Sequence, residues 1–585
     1  MSERDNERVM PRNRRAVSIS WPPAPTDRGV AWPVTEAVER TRETTALAER
    51  TQQITITVLA DRTQEIGAAG YRPAGSASAA GRSAAWFRRV RRVPAGLTAV
   101  TSLALGLRLW RLDATGFNSD EAVYGGQAAS LAGNPNYTDL FPVFRAHPML
   151  VQTVLSPLFR HGEVDVAGRV VIAVLGVATV LAVYLVGARL YRPRVGLLAA
   201  LLVAVMPYHV VVTRQVLLDG PMVLCATLTL YCLVRFVEAQ AVLWLVAAAG
   251  MLGLTMLTKE SSIVLAGGVY AFLALTPTIR RPIRSCLIAA PALVIVFAIH
   301  PLSQALAGRA NTGKSYLVWQ LLRRPNHSMA FYAQTVPVAI GLLVLLAAGA
   351  GLWSLRRRHS WRETLLLCWL GVPVVAFQLW PVKGFQYLLP VATPAAILAA
   401  RGLLVVPLQQ LIRDPRRALA VRVAVIGTVV LSLLVPVWSS INRRDTTTFL
   451  AGSGGVPGGR ETGRWLASHT PSGSAVLTLG PSMANILQYY GHRRCYGLSV
   501  SPNPLHRNPA YAPLANPDRS LRHNELQYIV WDAFSAKRSV FFSERLLALA
   551  RRYHGRVVHT EYVRGVDAEG RSTNVPVIVV YEVRP

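Results

Sequence analysis

The stretch AGRVVIAVLGVATVLAVYLVGARL, residues 167–190, has no acidic residue and holds its only two charges near its ends. A membrane-crossing helix needs about 20 predominantly apolar residues, and this run exceeds that. Working outward, comparable runs occupy about 94–112, 194–213, 216–236, 241–258, 261–277, 283–304, 333–355, 363–380, 385–405 and 419–438. Several carry Pro or Gly, which membrane helices tolerate better than soluble ones. The pattern predicts an α-helical polytopic membrane protein with about eleven transmembrane helices.

Composition agrees. Of 585 residues, 52% are hydrophobic and 16% charged, against about 25% charged in soluble domains. A disordered chain, a disulfide scaffold and a collagen are excluded on the same figures. The formal charge of +31 would suggest nucleic acid in a soluble protein. Between apolar runs it records membrane orientation instead, and no nucleic-acid partner is expected. Four of the five cysteines (Cys225, Cys232, Cys286 and Cys368) lie inside apolar runs, and only Cys495 falls outside. There a thiol acts as a small hydrophobe.

Residues 1–87 are rich in Arg, Thr, Ala, Pro and Glu without a sustained apolar face. They read as a disordered cytoplasmic tail, not a cleavable signal peptide. The transmembrane domain is assigned to 88–444. Arg88, Arg89, Arg91 and Arg92 precede the first run and put the N-terminus inside. Arginines recur in alternate loops at 189–194, 280–284, 356–362 and 413–417, as cytoplasmic loops require. Residues 445–585 open on a Gly-rich linker and alternate helical and strand-like segments, which predicts a small extracytoplasmic α/β domain. The chain is expected in the plasma membrane, its C-terminal domain outside.

The first outer loop, 113–166, contains GFNSDEAVYGGQA (116–128) and FRAHPMLVQ (144–152). Asp120 and Glu121 are adjacent carboxylates at a membrane surface, where unpaired burial is costly. An acidic pair at a helix N-terminus is the plainer alternative. At the same predicted face lie His147, Arg214, Asp219, Lys259, Glu260, Lys383 and Tyr387. Each alone reads as a snorkelling or capping residue; together they resemble a site. A carboxylate can take a proton from a hydroxyl nucleophile, and Arg or Lys can neutralise a phosphate leaving group. The outer surface has no supply of nucleotide-activated sugars, so an activated donor there must be carried by lipid.

At these residues the sequence resembles a known family. LRLWRLDATGFNSDEAVY (107–124) is similar to the first-loop signature of the GT-C glycosyltransferases, in the bacterial branch of protein O-mannosyltransferases and the lipid A aminoarabinose transferase. The His147-Pro148 pair, Arg214 with Asp219, LTKE (257–260), and Lys383, Tyr387 and Pro390 match in order. The turn departs from the family's usual Arg-Tyr pair, with Phe385, Gln386 and Tyr387 in its place. The resemblance implies a GT-C-like fold and transfer of a sugar from a polyprenyl-phosphate donor to an extracytoplasmic acceptor. Asp120 would be the catalytic carboxylate, with Glu121 supporting it. His147, Arg214, Asp219, Lys259, Glu260, Lys383 and Tyr387 would bind substrate. If a divalent cation takes part, Asp120, Glu121 and Asp219 are its candidate ligands. The competing readings are a lipid or polysaccharide flippase, which would place its ionisable groups near the midplane, and a non-catalytic scaffold.

Overall fold

The computed structural model describes residues 95–585 apart from 145–146, 278, 280–282, 324, 356–359, 406–411, 443–454, 510 and 567–571. The tail read at 1–87, the arginines at 88–92, 280–281 and 356–358, and the first part of the linker lie outside the described residues.

Seven of the described helices are long and apolar enough to cross a membrane. Four shorter apolar helices join them: α1 (Ala95–Leu109), α4 (Pro193–Ala204), α6 (Val242–Thr258) and α7 (Val264–Leu275). Between α1 and α4 lie α2 (Ser119–Leu131) in the first outer loop and the spanning α3 (Asp165–Leu190). The other spanning helices are α5 (Asp219–Ala239), α8 (Ile283–Leu306), α10 (Phe331–Ser354), α11 (Trp361–Leu379), α12 (Phe385–Val405) and α13 (Pro415–Asn442). α9 (Ala310–Leu322) follows α8. The apolar run at 194–213 is not one helix. α4 stops at Ala204, and a short helix restarts at Pro207, because proline has no N–H to continue the ladder but fits a first helical turn.

Without a hydrophobic drive between helices in lipid, close backbone approach through small residues holds the bundle. α10 and α12 show this. A Cβ on Gly402 would lie 2.2 Å from the Ala347 carbonyl oxygen, and one on Gly351 would lie 2.4 Å from that of Leu398.

The C-terminal region forms a five-stranded mixed sheet of order β2-β1-β3-β5-β4. Its strands are β1 (Ala475–Thr478), β2 (Arg494–Gly497), β3 (Tyr528–Asp532), β4 (Arg556–Val566) and β5 (Ser572–Glu582). β1 runs parallel to β2 and β3, while β5 is antiparallel to β3 and β4. β1 is buried on both faces, as a central parallel strand should be. The helices α14 (Gly459–His469), α15 (Pro481–Gly491) and α16 (Val540–Arg552) belong to this region.

α15 lies against α2, which brings this region onto the first outer loop. Gln488 donates to the Leu140 carbonyl (2.7 Å), and the Phe117 N–H donates to the Tyr490 hydroxyl (2.7 Å). That hydroxyl in turn donates to Asp165 at the start of α3. Arg460 and Arg464 pair with Asp113 and Glu163.

Candidate active site

The site begins with a helix cap. Asn118 is the N-cap of α2, and its side chain accepts from the N–H groups of Asp120 (2.9 Å) and Glu121 (3.0 Å). Glu121 returns the bond to the Asn118 N–H (3.1 Å). This reciprocal capping box fixes how the chain enters the helix. It also separates two neighbouring carboxylates.

Glu121 points inward and is fully buried. Its oxygens accept from Arg169 Nε (2.8 Å) and Nη2 (2.7 Å), and from the Val216 N–H (3.0 Å). Arg169 also donates to the carbonyls of Leu112, Thr115 and Gly116. One buried ion pair therefore ties α3 to the whole turn that leads into α2.

Asp120 points the other way. Its carboxylate makes no hydrogen bond among the described residues and is exposed. Enough protein nevertheless surrounds it to raise its pKa by desolvation. Lys259 and His147 pull the pKa back down, and Glu121 pushes it up.

Two pairs converge near Asp120. Lys259 Nζ, at the end of α6, contacts both Asp219 oxygens (2.8 and 2.9 Å) at the start of α5. The Tyr387 ring lies over the same ammonium at 5.3 Å. His147 Nδ1 lies 3.0 Å from both Glu260 oxygens. Burial works against the imidazolium, but the charge and hydrogen bond of Glu260 outweigh it and raise the His147 pKa. Tyr124 of α2 and Tyr316 of α9 meet the His147 ring edge-on at 6.0 and 5.3 Å.

Of the residues singled out in the sequence, Asp120, His147, Asp219, Lys259, Glu260 and Tyr387 come together. Glu121 lies beside them with its oxygens occupied. Arg214 and Lys383 are engaged elsewhere. Arg214 donates to the carbonyls of Leu107 (2.6 Å), Arg108 (3.1 Å) and Trp110 (2.5 Å) at the end of α1. Lys383 Nζ donates to the carbonyls of Gln378 (3.1 Å) and Trp380 (3.0 Å) at the end of α11. Both cap helix C-termini, where carbonyls lack partners.

The carboxylates do not fit a divalent cation as arranged. Among the described residues no three His, Cys, Asp or Glu side chains gather as ligands. Glu121 faces a guanidinium and Asp219 an ammonium, which leaves Asp120 alone.

α9 supplies what the sequence reading missed. Gln320 donates to the Tyr316 hydroxyl (2.6 Å). Just past the helix, the half-buried Arg323 stacks on Trp319 (4.3 Å) and acts electrostatically on Tyr316, Tyr387 and Tyr511. Among the described residues its guanidinium makes one long hydrogen bond, 3.4 Å to Gln320, which leaves it donors to offer an anion. A mixed helix of 13 residues gives no span signal in the sequence.

The dolichyl-phosphate-mannose-protein mannosyltransferase family model matches residues 146–303. No curated protein sequence matches the chain. The chain has the GT-C fold of membrane glycosyltransferases. It is similar to ArnT from Cupriavidus metallidurans in the apo state, with a TM-score of 0.61 at 15% identity, over 83% of this chain and 97% of that one. ArnT bound to undecaprenyl phosphate gives 0.58 at 16% identity, with the same coverage. The archaeal oligosaccharyltransferase AglB from Archaeoglobus fulgidus, in complex with an inhibitory peptide and a dolichol-phosphate, gives 0.52 at 14% identity over 84% of this chain and 74% of that one.

Proposed function

We propose that this chain is an integral membrane glycosyltransferase that moves a sugar from a polyprenyl-phosphate-linked donor to a hydroxyl of an extracytoplasmic acceptor. The observation that carries this reading is Asp120: a carboxylate with no hydrogen bond or ion pair among the described residues, within electrostatic reach of Lys259 and His147. Structures of the same fold are solved with undecaprenyl phosphate and with a dolichol-phosphate, which supports a lipid-linked donor over a transported solute.

In the reaction the acceptor oxygen bonds to the anomeric carbon, and the bond from that carbon to the phosphate oxygen breaks. The electron pair leaves with the lipid phosphate, and the acceptor proton passes to Asp120. Lys259 and Arg323 neutralise the phosphate. Glu121 and Arg169 hold the loop that aims Asp120. No step needs a metal. Eleven spans, a cytoplasmic N-terminus, the boundaries 88–444 and 445–585, and an outer C-terminal domain complete the proposal, supported by the alternation of arginine-rich loops.

The test is transfer of labelled sugar from polyprenyl-phosphate donors by purified protein. Asp120→Asn should lower turnover about 100- to 10,000-fold, the usual contribution of a general base. Asp120 is exposed and the cap of α2 is Asn118, so the variant should fold. Wild-type turnover in Asp120→Asn would remove the assignment.

A further inference from the structure

Asp120 heads a polar stripe on α2. Residues four and seven apart share one face of a helix, so Asp120, Tyr124 and Gln127 lie along one line that runs from the exposed carboxylate into buried ground. Gln127 is committed, because Gln152 donates to its side-chain oxygen (3.1 Å). Tyr124 is not. The residue is 8% exposed and its ring meets His147 edge-on. Its hydroxyl has no hydrogen-bond partner among the described residues, yet it is not sealed inside the protein as those of Tyr137 and Tyr489 are. On another edge of His147, by contrast, the Tyr316 hydroxyl is taken by Gln320 (2.6 Å). Burial raises the Tyr124 pKa, and Asp120, Asp219 and Glu260 raise it further. The phenol therefore stays neutral and can donate and accept at once. Packing on His147 needs only the ring, so the hydroxyl has no task in the fold.

We propose that Tyr124 binds the donor's sugar, its hydroxyl hydrogen-bonding a hydroxyl of the ring that the lipid phosphate carries. This rests on the glycosyltransferase reading above. In that reading Lys259 and Arg323 hold the phosphate, and Asp120 works beside the anomeric carbon. The rest of the sugar then needs polar partners within a ring's length of Asp120 that do not compete for the phosphate. Tyr124 stands one turn along the same face of α2, about 6 Å away along the axis. A neutral phenol suits a sugar hydroxyl and offers an anion no formal charge. Because the group is nearly enclosed, a sugar lacking that hydroxyl would leave it unpaired, which makes Tyr124 a specificity residue as well.

The experiment uses full-length protein in lipid and reads equilibrium binding, so no acceptor is required. Labelled undecaprenyl phosphate gives its own Kd by saturation. Its mannose, glucose and aminoarabinose esters give theirs by displacing it. Tyr124→Phe keeps the ring on His147 and removes only the hydroxyl. It should weaken at least one ester about five- to tenfold, one hydrogen bond's share. The Kd of undecaprenyl phosphate and the melting midpoint should stay at wild-type values. Among single-deoxy analogues of the affected ester, one should bind wild type as weakly as the parent binds the variant, and lose nothing further in the variant. Esters that bind Tyr124→Phe as tightly as wild type overturn the assignment. So does a loss shared equally by the bare phosphate, which would give Tyr124 a structural or phosphate-binding role, and so does a further loss by every deoxy analogue in the variant. Failure of wild-type protein to bind undecaprenyl phosphate or any ester sinks the underlying glycosyltransferase reading instead.

Discussion

Glu121→Gln should damage the fold first and the chemistry second. The side chain is fully buried and accepts from two guanidinium nitrogens and two backbone N–H groups. Gln keeps the shape, removes the charge and turns one acceptor into a donor facing donors. Arg169, also buried, is left without its anion. Breaking a buried pair from one side costs about 3–5 kcal/mol, or roughly two to three and a half powers of ten in the folding equilibrium. Thermal melts in detergent, read by tryptophan fluorescence, should show a clearly lowered midpoint. Turnover should fall because the turn from Leu112 to Asn118 loosens. Asp120→Asn should do the reverse, with a wild-type midpoint and the turnover loss given above. Replacing both partners, Glu121→Gln with Arg169→Met, should destabilise less than the worse single change, because no charge is then stranded. The reasoning fails if Glu121→Gln melts like wild type while losing turnover as severely as Asp120→Asn. Glu121 would then act on substrate, and its pairing with Arg169 would not be what supports the loop.

Turnover should be lost as pH falls through the raised pKa of Asp120, since only the ionised form accepts a proton; the acid limb should lie above the ordinary carboxylate value of about 3.9. Lys259 lowers that pKa, so Lys259→Met should move the limb to higher pH in a pH–rate profile, and an unmoved limb would exclude Asp120 as the titrating group. Chelation by EDTA should leave turnover intact, because Glu121 and Asp219 already face basic side chains; loss restored by added cation would show that a metal displaces one of them. Arg323→Gln should raise the donor KM, whereas Arg214→Gln should mainly lower the melting midpoint, because it caps α1; the opposite pattern in steady-state kinetics would exchange the two assignments.

The apolar runs were legible because hydropathy is a one-dimensional property of the chain. Seven of them fall on helices long enough to cross a membrane and four on shorter helices; the break at Val205–Met206 and the 3-10 turns at Glu260–Ile263 and Phe385–Val391 needed the structure to place them. In the C-terminal region β1 and β2 are both four residues long, but AVLT is apolar and buried throughout and reads as a strand, whereas RCYG opens on an exposed arginine and carries no apolar run. The site was half legible. Acids and bases at helix ends are conspicuous, yet a cation just past a helix has two uses. Lys259 found a carboxylate, while Arg214 and Lys383 found the orphan carbonyls of nearby helix ends. Sequence supplies the same signal for both, because the choice depends on which group lies within reach in three dimensions.

Arg169 is different, since its role had a trace in the sequence. An arginine within an apolar run carries a cost of at least about 2.5 kcal/mol at the bilayer centre, less toward an end, and needs a partner. It lies near the same end of its helix as the first outer loop, where the only adjacent acidic pair is Asp120-Glu121. The Asn at 118 marks an N-cap, and the third residue after it is the capping-box position, Glu121. A glutamate turned back toward its own cap faces the bundle that α2 covers, while the residue before it, a hundred degrees around the helix, faces away. Read together, the arginine in the span and the cap in the loop assign one carboxylate to structure and leave the other free. The structure shows this division: Glu121 on Arg169, and Asp120 with no hydrogen-bond partner among the described residues. The division of the loop therefore follows from the demand of a buried guanidinium 48 residues further along the chain, which fixes Glu121 and so decides which carboxylate remains for the proton transfer proposed above.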